Sequence, residues 1–359
     1  MNKRIRKNVN WRLLDMGRKF YLINVVNSKQ LELKSDKEQT QYLFGLFEEW
    51  RSKSEVIKIF RSKYPSFDIN WPKEYINLLI KNNVLEYQAR KPNELSDQYL
   101  MGLDRQLNFL SEINNNKSSF ENQLTLKRTK VALLGLGSVA HYTIMGLVSS
   151  GIGSFKCVDF DTVDERNIGR QPIFRKSDIG RLKADVVKEY ILNNRENVEV
   201  QAFNVMLKSE KDVEKIIFDC DIVIHLCDLP RFLIHRWIND ACLQLNKPNI
   251  LCYSGRVGPF CIPYKTACYG CLETEMRKKF VLYQSMVEDV TNGAFTRFPE
   301  LAVVGSLSGV LVAKEIIAFI LNIKPQTFDA FYDINPFDLK ISLHKLQKQK
   351  DCYACSEKL

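Results

Sequence analysis

The sequence lacks the features that direct a chain into the secretory pathway. Its amino terminus, MNKRIRKNVNWRLLDMG, is basic but contains no apolar segment that could form the core of a signal peptide. No internal repeat or low-complexity tract stands out. We therefore expect a globular cytoplasmic protein.

The sequence also lacks a long hydrophobic run that is free of charge. Residues 301–321 (LAVVGSLSGVLVAKEIIAFIL) approach membrane-spanning length, but Lys314 and Glu315 lie inside the run. Each charge would cost several kcal/mol at the centre of a bilayer. We expect a helix in the protein core or at a subunit interface, and no membrane partner.

Acidic residues are outnumbered by basic ones, 42 to 52, which gives a formal net charge of +10. This excess could attract nucleic acid, an anionic membrane or an acidic peptide, and it distinguishes none of them. The length of 359 residues allows two domains, and the content of 45% hydrophobic and 26% charged residues is ordinary for a soluble protein.

Disulfides are not expected among the ten cysteines of a cytoplasmic chain. Four cysteines form two C-x-x-C pairs, Cys268/Cys271 and Cys352/Cys355, which together match the thiolate shell of a structural zinc ion. The carboxy terminus would then fold back onto the middle of the chain. The alternative is two unrelated pairs, one of them redox-active. The other six cysteines flank or lie in apolar runs and are expected in the core.

Two regions of different character are separated by a more polar segment. Residues 1–90 are expected to form a small α+β domain, in which the strands FYLINV and QLELK are followed by three amphipathic helices in a winged-helix-like arrangement. Residues 91–128 are expected to be a linker with one helix, spanning roughly 95–112. In residues 129–359, β-rich runs alternate with helical stretches, which predicts a Rossmann-like α/β domain with a parallel sheet.

A glycine-rich turn follows the first strand of this second domain. Gly135 and Gly137 in VALLGLGSVAH would let the backbone approach a phosphate at the start of a helix, with Ala140 at the position of the third glycine. Asp159, at the end of the next strand, is placed to bind ribose hydroxyls. A dehydrogenase would share these features.

Three further polar residues favour a triphosphate over a dinucleotide. Arg170 and Lys183 follow the second strand, and Asp228 follows the strand DIVIHLCD. Two cations can neutralise phosphates, and a carboxylate at a strand end can hold Mg²⁺ against them.

The series DFDTVDERNIGRQ…IGRLKAD resembles the adenylation domain of the ubiquitin-activating-enzyme-like superfamily, the ThiF, MoeB and HesA group. The resemblance covers roughly residues 100–359 and includes both C-x-x-C pairs. It implies that a substrate carboxylate attacks the α-phosphate of ATP, forms an acyl-adenylate and releases pyrophosphate. It also implies a homodimer.

The resemblance assigns roles to individual residues. Asp159 and Asp161 belong to its D-x-D element, with Asp159 on the ribose, and Asp228 would bind Mg²⁺. Arg105 resembles an arginine that is supplied across a dimer interface. The residues expected to contact the nucleotide phosphates or to complete that motif are Asn167, Arg170, Gln171 and Lys183.

Two departures from the family pattern limit these roles. Ser138-Val139-Ala140 replaces the usual glycines, which puts the nucleotide loop in doubt. No cysteine lies between Cys271 and Cys352, so the thioester step that related enzymes perform from a crossover loop, here roughly 280–298, is excluded at that loop.

The amino-terminal pattern resembles a PqqD-like peptide clamp, which adds a leader peptide as a strand to a sheet edge, here FYLINV or QLELK. A clamp fused to an activating domain resembles the microcin C-type and pantocin-type peptide maturation enzymes. We therefore expect a ribosomally made precursor peptide as partner, with an acidic leader favoured by the basic surface, and contacts with other maturation enzymes. The competing interpretation of this domain is a DNA-binding winged helix, which we rank lower.

Two other functions remain open on the sequence. The chain could be a leader-binding scaffold that delivers peptide to a separate cyclodehydratase, or it could adenylate a sulfur-carrier protein ending in Gly-Gly. The choice between ATP and CTP also stays open.

Overall fold

The computed structural model describes residues 4–17, 19–33, 37–68, 70–113, 117–253, 255–291 and 300–356. The chain divides into two compact units, Met1–Leu124 and Thr125–Leu359.

The amino-terminal unit contains two antiparallel sheets of three strands each, in the orders β5-β1-β6 and β2-β3-β4. The predicted strands FYLINV and QLELK are present as β3 and β4. However, β3 pairs with β2 on one side and β4 on the other, so FYLINV cannot accept a peptide strand. QLELK remains a candidate because β4 lies at the end of its sheet. The strands are β1 (Arg4–Lys7), β2 (Trp11–Asp15), β3 (Phe20–Asn24), β4 (Gln30–Leu33), β5 (Arg51–Ser52) and β6 (Leu85–Tyr87).

Three helices pack against these strands, as the apolar periodicity predicts. A reciprocal capping box between Ser52 and Glu55 begins the second helix, and Pro72 lies in the first turn of the third. Trp11 and Phe60 belong to the common core of strands and helices. The helices are α1 (Lys37–Gly45), α2 (Lys53–Lys63) and α3 (Trp71–Lys81).

The segment expected as a linker with one helix contains two short helices, α4 (Asp97–Leu100) and α5 (Asp104–Leu110), followed by α6 (Ser119–Arg128). Gly102, at φ +79°, interrupts the helix between α4 and α5, because this backbone conformation is left-handed.

The carboxy-terminal unit is built on an eight-stranded sheet with the order β14-β13-β12-β11-β10-β7-β8-β9. The five strands expected from the sequence, β7 to β11, are parallel. The three that the sequence analysis missed, β12 to β14, extend the sheet in antiparallel fashion. The strands are β7 (Lys130–Leu134), β8 (Ser154–Val158), β9 (Glu199–Phe203), β10 (Ile222–His225), β11 (Asn249–Tyr253), β12 (Arg256–Cys261), β13 (Ala330–Ile334) and β14 (Ile341–Lys345).

Helices connect the parallel strands, which confirms the Rossmann-like α/β architecture. Strand order reverses between β7 and β10, and open α/β sheets bind their ligands at such a switch point. The helices are α7 (Ser138–Ser149), α8 (Glu165–Ile168), α9 (Lys183–Asn194), α10 (Glu210–Ile217), α11 (Leu233–Gln244), α12 (Tyr269–Lys279), α13 (Tyr283–Thr291) and α14 (Ala302–Ile320), with a 3₁₀ turn at Lys176–Asp178.

Helix α14 is long and apolar enough to cross a membrane by composition alone, yet it packs as a core helix. A Cβ at Gly309 would lie 2.5 Å from the Val139 carbonyl oxygen, so glycine allows α14 to contact α7 closely. The buried Glu315 carboxylate accepts hydrogen bonds from the Thr327 amide, at 2.9 Å, and hydroxyl, at 2.7 Å. The charge that argued against a membrane span therefore has its partners inside the protein.

Candidate functional site

The glycine-rich turn lies at the switch point between β7 and β10. Gly135 has φ +95°, and a Cβ there would be 2.7 Å from the Cys227 backbone nitrogen. Glycine is therefore required at this position. At Gly137, which directly precedes α7, a Cβ would meet no heavy atom within 4 Å. The turn thus presents an open surface at the amino terminus of a twelve-residue helix, where backbone amides favour a phosphate.

Asp159 fixes this turn from the neighbouring strand. One carboxylate oxygen accepts from the Leu136 amide at 2.8 Å and the other from the Asp161 amide at 2.9 Å. Burial raises the pKa of Asp159, and the Lys183 ammonium acts in the opposite direction. The carboxylate predicted to bind ribose therefore also supports the loop that would hold the phosphates.

Lys183 begins α9 with its side chain buried, and its ammonium lies 2.8 Å from the Asp161 carboxylate. The Lys183 amide also donates to the Asp161 carbonyl at 3.0 Å. The two residues expected to flank the nucleotide are thus held against each other.

Arg170 is held at both ends. The Ser138 hydroxyl donates to the Arg170 carbonyl at 2.9 Å. The guanidinium forms an ion pair with Glu300, which precedes α14. The sequence analysis missed Glu300, since a separation of 130 residues leaves no local pattern. Ser138 was noted only as a departure from glycine.

Asn167 and Gln171 lie on the same short segment as Arg170. The Asn167 side-chain oxygen accepts from the Asp164 amide at 2.8 Å and so caps α8. Gln171 is buried, and its side-chain oxygen has no hydrogen-bond donor among the residues the structure describes. Their contacts with a nucleotide stay a prediction.

Asp228 is exposed, three residues beyond the end of β10, and forms no hydrogen bond or ion pair with any described residue. Burial raises the pKa of the Cys227 thiol, and the charges of Asp159 and Asp228 add to that rise. Both carboxylates are therefore near Cys227 at the carboxyl edge of the sheet. An exposed, unpartnered carboxylate is a suitable Mg²⁺ ligand.

Arg105 lies on α5 in the amino-terminal unit and is exposed. Its predicted role across a dimer interface stays a prediction.

The four C-x-x-C thiols form one buried cluster, all within 4.8 Å of one another, which disproves the alternative of two unrelated pairs. The sulfur separations of Cys268–Cys271, Cys268–Cys352 and Cys271–Cys355 are 4.0, 3.8 and 3.4 Å. Four thiolates at about 2.3 Å from a zinc ion would be about 3.8 Å apart. The cluster could therefore hold a tetrahedral metal ion. Five of the other six cysteines are buried and Cys227 is half-buried, in line with core positions.

A buried carboxylate beside this cluster escaped the sequence analysis. Glu273 accepts from Arg236 at 3.0 Å, from Arg277 at 2.9 Å and from the Tyr353 hydroxyl at 2.9 Å. Tyr353 lies between the last two cysteines. Glu273 therefore helps to hold the carboxy-terminal segment against α12.

Residues 103–354 match the ThiF family. Over 132 residues the chain is 36% identical to the adenylyltransferase and sulfurtransferase UBA4 of Meyerozyma guilliermondii, which covers 36% of this chain and 30% of that protein. The match to UBA4 of Candida albicans is 27% identical over 244 residues and covers 67% of this chain and 53% of that protein. The molybdopterin-synthase adenylyltransferase of Escherichia coli is 23% identical over 230 residues, and the match covers 63% of this chain and 86% of that protein. The chain thus spans about half or less of the length of the UBA4 relatives.

Solved structures match nearly the whole chain. Escherichia coli MccB with ATP has a TM-score of 0.74 at 21% identity, covering 98% of this chain and 99% of that chain. MccB in complex with N-formylated MccA has a TM-score of 0.76 at 20% identity with the same coverage. PaaA has a TM-score of 0.75 at 18% identity, covering 95% of this chain and 99% of that chain. The chain therefore has the fold of these proteins.

Proposed function

The chain belongs to the ThiF family, and we propose that it activates a carboxyl or amide group of a ribosomally made precursor peptide with ATP. The observation that carries this proposal is the convergence of Lys183, Arg170, Asp159 and Asp228 around the open glycine turn. In the adenylation route, a peptide oxygen attacks the α-phosphorus of ATP. A new P–O bond forms, the bond to the β-phosphate oxygen breaks, and pyrophosphate leaves.

Stabilisation of this reaction would be electrostatic. Arg170 and Lys183 would offset negative charge on the phosphates, with Arg105 contributed by a second copy of the chain. Asp228 would hold Mg²⁺, which supplies further positive charge at the phosphate oxygens.

The charge balance of the site supports a magnesium–nucleotide complex. Arg170 and Lys183 are each paired with a carboxylate, Glu300 and Asp161, while Asp159 and Asp228 add two more acidic groups. Because acids outnumber cations in this set, a free triphosphate would be repelled.

The amino-terminal unit is proposed to capture the leader of the precursor. The sheet edge at β4 supports strand addition. In addition, a groove of about 590 Å³ beside α2 and α3 is lined by Lys58, Arg61 and Lys73, together with Ser54, Ile57, Ser62 and Pro65. None of these described lining residues is acidic. We call this groove the basic groove. Its charge favours an acidic leader segment over a basic one.

The proposal also includes zinc in the four-cysteine cluster, a cytoplasmic location, a homodimer and contacts with other maturation enzymes. Val303 and Val310 lie one above the other on α14 and are exposed, which favours burial of this face in a dimer.

The absence of cysteine between Cys271 and Cys352 in the sequence supports direct use of the adenylate without a thioester. The crossover stretch 280–298 is described only through residue 291, in α13.

ATP–pyrophosphate exchange with and without a candidate precursor peptide tests the proposal. We expect peptide-dependent exchange that Lys183→Ala abolishes, with Lys188→Ala on the same helix as the control. Full exchange by Lys183→Ala would contradict the assignment. Peptide-dependent ADP formation without exchange would indicate phosphorylation of the peptide instead of adenylation. Neither exchange nor ADP formation by the wild-type chain would support the scaffold function.

A second candidate is adenylation of a sulfur-carrier protein, which the names of the UBA4 and molybdopterin-synthase relatives favour. Exchange driven by a carrier ending in Gly-Gly, and not by a peptide, would establish it. That outcome would leave the basic groove without a function.

A further inference from the structure

We propose that Glu300 and Ser138 together position Arg170 for the nucleotide triphosphate. This inference rests on the proposed function. It assigns Glu300 a positioning role and explains why Ser138 stands where the family pattern has glycine.

The contacts hold Arg170 from opposite ends of the residue. Ser138 fixes the backbone by donating to its carbonyl at 2.9 Å. The Glu300 carboxylate accepts from one terminal nitrogen of the guanidinium. The Glu300 side chain is 17% exposed and that of Arg170 35% exposed, so this ion pair is shielded from water more than most surface pairs.

Helix α14 is shaped to bring these residues together. A Cβ on Gly305 would lie 2.8 Å from the Ser138 hydroxyl oxygen and 3.0 Å from a Glu300 carboxylate oxygen. Glycine at 305 therefore leaves the space in which both side chains reach Arg170. Three segments that are distant in sequence, the glycine turn, the Arg170 loop and the start of α14, meet at this point.

The guanidinium can serve Glu300 and a phosphate at the same time. Arginine has five N–H donors in a planar fork, and Glu300 engages only one terminal nitrogen. The remaining donors are available to phosphate oxygens, with their direction set by the Glu300 contact. Without the Glu300 contact, the Arg170 side chain would lose its conformational freedom only when the nucleotide binds. This entropy cost would weaken nucleotide binding.

Four variants test the inference through ATP binding, followed with N-methylanthraniloyl-ATP, and through ATP–pyrophosphate exchange. For Glu300→Gln we expect the KM for ATP to rise about tenfold, as loss of a charge-assisted contact predicts, with kcat nearly unchanged. Glu300→Asp should recover part of the loss, and Ser138→Ala should raise KM by a smaller factor. In an Arg170→Ala background, Glu300→Gln should have no further effect.

Glu275→Gln, which removes the carboxylate of the Lys279 pair on α12, is the matched control. Unchanged or tighter ATP binding by Glu300→Gln would overturn the inference, because Glu300 would then compete with phosphate. An additive effect in the Arg170→Ala background would also overturn it. Failure of the wild-type chain to bind ATP would instead contradict the proposed function, and the positioning role with it. Thermal unfolding of each variant identifies any that fail to fold.

Discussion

The Lys183 ammonium lies 2.8 Å from the Asp161 carboxylate at the carboxyl edge of the parallel sheet, and the two side chains differ sharply in exposure, 8% against 50%. Asp161 thus acts as the counter-ion of a buried cation.

This pair predicts a ligand-dependent stability change. Asp161→Asn leaves the Lys183 ammonium without its counter-ion, so we expect a loss of about 1–2 kcal/mol in the free energy of unfolding. Saturating magnesium–ATP should restore most of this loss, because the phosphates replace the carboxylate. Differential scanning fluorimetry with and without nucleotide measures both effects. Glu189→Gln, which breaks the exposed pair with Arg181, serves as control, and a deficit unchanged by ATP would contradict the prediction.

The two glycines of the turn should respond differently to alanine. Gly135→Ala introduces a Cβ 2.7 Å from backbone atoms at a positive φ, which should destabilise the fold by about 2–4 kcal/mol. Gly137→Ala meets open space and should fold normally, while weakening ATP binding at the loop surface. Urea unfolding and nucleotide titration separate the two effects. Equal stability of the two variants would show that the turn is not packed against the backbone of Leu226 and Cys227.

The four-cysteine cluster should contain about one zinc ion per chain, as a closed tetrahedral site does. We expect Cys271→Ser to lose the metal and to lower the unfolding temperature, because the carboxy-terminal segment would detach. Metal content by mass spectrometry, together with thermal unfolding, measures this. The control is Cys242→Ser, a buried cysteine outside the cluster. Full zinc content in Cys271→Ser would disprove the site.

Asp219 predicts an acid-dependent part of the stability. Its hydrogen bond with Lys156 lowers the pKa of the Asp219 carboxyl to about 2, from 3.8. Since the native pKa is the lower one, the stabilisation is present above pH 3.8 and is lost as the pH falls toward about 2. Asp219→Asn should therefore reduce stability at neutral pH and narrow its difference from wild type in acid. Urea unfolding between pH 5 and pH 2 tests this, and a difference independent of pH would contradict it.

The basic groove should select acidic peptides. Replacing Lys58, Arg61 and Lys73 by Gln should weaken binding of a fluorescent Glu-rich peptide at least tenfold, with a shallower salt dependence. The matched control replaces the same number of exposed lysines in the other unit, Lys211, Lys265 and Lys324, and keeps the net charge equal. A Lys-rich peptide should not bind. Tighter binding of duplex DNA than of the acidic peptide would favour the winged-helix DNA function.

Local patterns account for the parts of the fold that were predicted. Apolar strands that alternate with helical stretches identify β7 to β11. A parallel sheet needs apolar strands and connecting helices, because the helices cover both of its faces. The antiparallel strands β12 to β14 were not predicted. Gly258 and Pro259 interrupt the apolar run of β12, and β14 is mostly exposed, so it lacks the apolar run of a buried strand. The central position of β3 in its sheet could not be predicted from the sequence either, because strand order depends on pairing between separate segments.

By itself, the sequence determined the residue types of the site: two glycines at a turn, Arg170 and Lys183 behind a strand, and two C-x-x-C pairs. Each follows from short-range spacing, which the geometry of a turn or a metal ion dictates. Tertiary structure alone decided that Glu300 reaches Arg170 and that Gly305 leaves room for it. Packing of α14 against α7 sets those contacts, and no local spacing encodes a contact across 130 residues.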